Sequence, residues 1–223
     1  MEEARQTSSV FQVCLGVDAG RVDLSVFDRA SRVIYRSSAG LEEEGIDRGA
    51  GGLDPARLAA RELEVSLWSA EDERLAPEGG AVIVIRAAVE FEHFARFSPA
   101  PAERDDGYLP YKTRLADALV SEVSNMLPGL GEAVSVMDVA TPLTFQEQGG
   151  RYAGAVAGWS WEYRDVRDMV PRELVLTPVC GLYMAGYQAM SWLGFGGVPT
   201  AVMSGNRAAS AVLDSEGPCY DKP

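Results

Sequence analysis

Hydrophobic and polar positions alternate from Phe11 to Val17, with Phe11, Val13, Leu15 and Val17 on one side and Gln12, Cys14 and Gly16 on the other. A period of two sets one series against a core, so the pattern predicts a half-buried β-strand. Further strands are predicted over residues 22–27 and 32–36. The apolar runs 63–68 and 81–86 flank a turn containing Pro77, Gly79 and Gly80, which predicts an antiparallel pair. Residues 81–85, Ala-Val-Ile-Val-Ile, are apolar on both faces and predict a central strand.

From residue 111 to 127 the period changes. Leu115, Leu119, Val123 and Met126 recur every three or four residues, the stripe of an amphipathic helix, and Pro128-Gly129 ends it. Alternation returns over 132–139. Near the C-terminus a strand-like run, 181–186, precedes a glycine-rich entry, 194–199, and a helix in which Ala201, Gly205 and Ala209 form a stripe of small residues. A helix entered through glycine leaves backbone N–H groups free to meet a ligand.

Composition narrows the function classes. The 223 residues, 47% hydrophobic, suffice for a sizeable core, and a net charge of −13 argues against general affinity for nucleic acid or anionic lipid. Cys14, Cys180 and Cys219 are widely spaced with no CxxC pair, and read as reduced thiols, the first and second buried in strands. The N-terminal residues are too polar for a secretory signal, and no apolar run approaches the roughly 18 residues of a membrane span. A cytoplasmic protein follows as the expectation, with peripheral membrane contact left open. His93 is the only histidine and reads as solvent-facing, so no metal site and no hydrolase triad is expected.

The run 181–209, GLYMAGYQAMSWLGFGGVPTAVMSGNRAA, resembles the closing segment of the phytoene desaturase and carotenoid isomerase family of FAD-dependent oxidoreductases. The resemblance continues through 139–145 (VATPLTF), Gly158-Trp159-Ser160, the turn 75–80 (LAPEGG) and 11–18 (FQVCLGVD), in family order over most of the chain. It implies an α/β fold of α+β character. A largely antiparallel substrate-domain sheet with flanking helices would occupy 1–140, the C-terminal strand–helix part of a Rossmann-like FAD domain 141–213, and a tail 214–223.

The same resemblance implies FAD as cofactor, with Gly186 and Tyr187 beside the flavin and its ribityl chain, and Gly196, Gly197 and Val198 at its pyrimidine end. Phe145, Trp159, Trp161 and Trp192 would line a groove for an apolar polyene, to be desaturated or isomerised. No side chain is assigned as acid or base. The family places an N-terminal GxGxxG turn under the pyrophosphate, and this sequence contains none. Many related flavin enzymes also carry an acidic residue where Tyr187 stands. Two expectations follow: an oxidoreductase portion completed by a second polypeptide with the dinucleotide-binding half, or a non-catalytic relative that binds an apolar ligand or another protein.

Overall fold

The alternating segments assemble into a five-stranded antiparallel sheet, which the computed structural model resolves together with its flanking helices; residues 7–38, 53–100, 102–156, 172–173, 175–177, 179–191 and 197–214 are described. In chain order the elements are β1 (Ser9–Asp18), β2 (Arg32–Tyr35), α1 (Pro55–Ala59), β3 (Leu63–Leu67), β4 (Gly80–Val89), α2 (Glu92–Ala95) and α3 (Tyr108–Val123). They continue as α4 (Leu130–Ala133), β5 (Val134–Ala140), α5 (Pro142–Gly149), β6 (Arg172–Glu173), β7 (Met190–Ser191) and α6 (Gly197–Leu213). Residues 9–154 form one compact unit, and residues 155–223 with 1–8 form another. Thr141 and Pro142, where a change of domain is expected, lie inside the first unit and open α5 through a capping box.

The sheet order is β2-β3-β4-β1-β5, so β4 is central, as its unbroken apolar run predicts. Register explains the two faces. Val33, Val65, Ile85, Val13 and Val139 lie in one row across all five strands. The next row, one residue along, is Ile34, Glu64, Arg86, Gln12 and Ala140, and it faces the other way. On that second face the Arg86 guanidinium donates to Gln12 Oε1 at 2.7 Å and to Glu64 Oε1 at 3.3 Å.

The apolar face joins one core with Tyr111 and with Leu115, Leu119 and Val123 of the predicted stripe, whose fourth member, Met126, lies past the end of α3 and packs partly buried on the same core. The helix starts three residues earlier than the stripe suggests, because Pro110 suits a first turn. It is closed by a turn and by Gly129 at φ +87°. Residues 22–27 are not a strand. Asp23 accepts the Ser25 N–H at 3.0 Å, and a 3-10 turn, Ser25–Phe27, results. That hydrogen bonding also holds the Asp23 carboxyl below the usual carboxylate range.

Candidate functional site

The segment leading to the candidate site is a pair of turns, where the apolar composition of 181–186 predicts a strand. A single bridge links Leu176 to Tyr183, and Met184 N–H donates to Val175 O at 2.9 Å. Two features prevent a longer ladder. Thr177 Oγ1 accepts the Val179 N–H at 3.1 Å and reaches Leu182 O at 2.8 Å, while Gly181 and Gly186 take φ values of +76° and +105°. Cys180 is exposed in this turn and disulfide-bonded, which corrects the expectation of a buried reduced thiol. Cys14 is a free thiol, partly exposed on the second face of the sheet, and Cys219 lies outside the described residues.

Helix α6 follows at Gly197, with Pro199 in its first turn. Its buried positions are Thr200 and Ser204, and Met203 and Ala208 pack on Val175 and Ala189. The predicted stripe of Ala201, Gly205 and Ala209 is therefore offset by one residue from the packed face, a rotation of about 100° at 3.6 residues per turn. Small side chains at 201, 205 and 209 offer little area to bury, and the larger Thr200 and Met203 win the contact. Among the described residues beyond its own helix backbone, Gly205 has no neighbour within 4 Å of the position its Cβ would take.

Three of the expected cofactor residues come together here. Gly186 and Tyr187 form the turn beside α6, and the Cβ position of Gly197 lies 3.9 Å from Tyr187 Cβ. Ser204, fully buried, accepts the Gly186 N–H at 2.8 Å and lies 2.9 Å from Gly186 O. Gly197, Val198 and Pro199 are exposed, Val198 by 77%. The 17-residue helix thus begins on an exposed edge at residues 197–199, where Pro199 lacks a donor, and turns inward at the buried Thr200. Gly196 lies outside the described residues.

Of the expected groove residues, Phe145 sits partly buried in α5, within the 9–154 unit. Trp159, Trp161 and Trp192 lie outside the described residues. An aromatic group that the sequence reading passed over is well defined instead. Phe94 stacks on Phe11 at 5.9 Å between centroids, and Tyr111 meets Phe94 and Phe97 at 5.7 and 4.9 Å. The Arg96 guanidinium lies over Phe97 and Tyr111. The signal was in the chain, as aromatics three residues apart at 91, 94 and 97 and again at 108 and 111. These rings are interior: Phe94 is fully buried and Tyr111 donates its hydroxyl to Leu53 O at 3.0 Å.

His93 is buried, 7% exposed, which corrects the solvent-facing expectation. The one-turn helix α2 turns its ring inward beside Glu90, whose Oε2 accepts two hydrogen bonds from Arg61 at 3.3 and 3.2 Å. His93 Nε2 is 3.2 Å from the same oxygen but makes no hydrogen bond with it. Among the described residues no group of three His, Cys, Asp or Glu side chains is placed to hold a metal ion. Among them, too, no helix is long and apolar enough to cross a membrane. No protein-family model matches the chain, and a search of curated proteins finds no matching relative.

Proposed function

We propose that this chain is the C-terminal portion of an FAD-dependent oxidoreductase of the phytoene desaturase and carotenoid isomerase type. It acts on an apolar, polyene-like substrate by desaturation or isomerisation, with a second polypeptide supplying the dinucleotide-binding half. The observation that carries this reading is the juxtaposition of Gly186, Tyr187 and Gly197 at the exposed N-terminus of α6. Gly186 lacks a Cβ at a position with no described residue within 4 Å, which suits the approach of a flat ring. A helix N-terminus carries roughly half a positive charge, so the Gly197 and Val198 amides are suited to stabilise negative charge on a bound group. When bound, a flavin supplies the hydride chemistry; the protein binds and orients it.

Titration of the purified chain with FAD, followed by visible absorbance and thermal melting, tests the reading. A bound-flavin spectrum with a ligand-dependent rise in Tm supports it. A cooperative melt unmoved by FAD, together with no yellow complex on co-expression with Rossmann-type partners, overturns it. The second reading, a non-catalytic binding module, draws on the completeness of the 9–154 core, whose aromatics are committed to each other. It expects stable folding with no flavin in either experiment.

A further inference from the structure

We infer that Ser204 is a positioning residue, a hydroxyl pin that holds the Gly186–Tyr187 turn against α6 and so sets the ligand-facing edge; this rests on the flavin reading above. One buried oxygen engages both backbone groups of one residue. Ser204 Oγ accepts the Gly186 N–H at 2.8 Å, and its proton is shared between Gly186 O at 2.9 Å and Ala201 O at 3.0 Å. Gly186 O also accepts the Ala189 N–H at 3.0 Å, so the same carbonyl closes the turn through Tyr187. The backbone at Gly186 is left-handed, and with no Cβ it has no side-chain packing of its own to hold that conformation.

The pin acts at a distance along the helix. Ser204 is seven residues, about 10 Å at 1.5 Å per residue, from Gly197. The turn therefore lies along the first two turns of α6, tied by Ser204 at one end, with Tyr187 Cβ 3.9 Å from the Gly197 Cβ position at the other. Ser204 itself is fully buried. Its effect on binding is through the position of Gly186 and Tyr187.

The test compares the wild-type chain with Ser204→Ala and Ser204→Thr by amide hydrogen exchange and by FAD titration. In Ser204→Ala, exchange at Gly186 and Tyr187 should rise about tenfold or more, the size expected from losing a part-buried hydrogen bond. Amides of β1 and β4 should be unchanged. FAD affinity should fall by a similar factor, and Ser204→Thr, which keeps the hydroxyl, should restore both. Unchanged exchange at Gly186 in Ser204→Ala overturns the inference, as does raised exchange with full FAD affinity. Should Thr fail for lack of room, seen as a lowered Tm, Ser204→Cys with its weaker donor should give an intermediate exchange rate; exchange as fast as in Ser204→Ala then counts against the pin. A wild-type chain that binds no FAD defeats the flavin reading, and the pin then stands or falls on exchange at Gly186 alone.

Discussion

Left-handed glycines include two crowded ones in the 9–154 unit and none among the described residues of the C-terminal unit. In the 9–154 unit, Gly129 and Gly154 are walled in by backbone: a Cβ would overlap the Arg21 carbonyl oxygen at the first and the Pro142 carbonyl oxygen at the second. In the C-terminal unit, Gly181 and Gly186 take positive φ as well, yet nothing among the described residues lies within 4 Å of their Cβ positions. Packing requires glycine at Gly129 and Gly154, whereas backbone conformation alone requires it at Gly181 and Gly186, as it does at Gly79 and Gly150 of the 9–154 unit. Open space beside a fixed, side-chain-free backbone suits a ligand, whereas crowded glycines are signs of a finished core.

The sharpest break of this contrast is Gly129→Ala, which combines a strained backbone with a backbone clash. It should cost about 2–6 kcal/mol in urea unfolding. A loss below about 1 kcal/mol would show that the loop at Arg21 yields freely. Next, Leu119→Ala removes a fully buried α3 side chain from the same core and should cost about 2–5 kcal/mol. If it behaves like a surface substitution, the 9–154 core is looser than its burial implies.

Gly186→Ala should cost less, about 1–3 kcal/mol, since only the conformational term remains. A loss matching that of Gly129→Ala would erase the difference between crowded and open glycines. The smallest effect is electrostatic. Arg104 grips the Glu147 carboxylate at 2.8 and 2.7 Å and holds it below its ordinary range. A depressed carboxyl stabilises the fold above its unfolded value of about 4.3 and loses that contribution as pH falls through the folded one. Being partly exposed, the pair is worth at most about 1 kcal/mol. Urea midpoints of wild type and Glu147→Gln should differ at pH 7 and converge toward pH 3; a gap that persists in acid would assign the effect to something other than this ion pair.

Much of the sheet was legible because its signals are local and repeated. Alternation in β1, the apolar run of β4 and the spacing of Leu115, Leu119 and Val123 each match the observed burial. The failures share a cause. Residues 22–27 and 181–186 have strand-like composition, but Asp23 and Thr177 offer the backbone side-chain partners that a propensity reading does not weigh. His93 looks solvent-facing among charged neighbours, and only the turn of α2 directs its ring inward beside Glu90. For the candidate site, the sequence singled out Gly186, Tyr187, Gly197 and Val198 by their resemblance to a known segment, yet gave no hint that Ser204 joins them.

What the sequence determined by itself is therefore the main strands of the sheet and helix α3, with the apolar face of each, since periodicity follows directly from helix and strand geometry. Only the tertiary structure decided which residues meet. Strand order, the pairing of Arg86 with both Gln12 and Glu64, the inward aromatics, and the Ser204 link to Gly186 join positions between 14 and 128 residues apart along the chain. Such contacts depend on closing loops over long separations, and a one-residue rotation, as on α6, is enough to move a stripe off the face it was expected to fill.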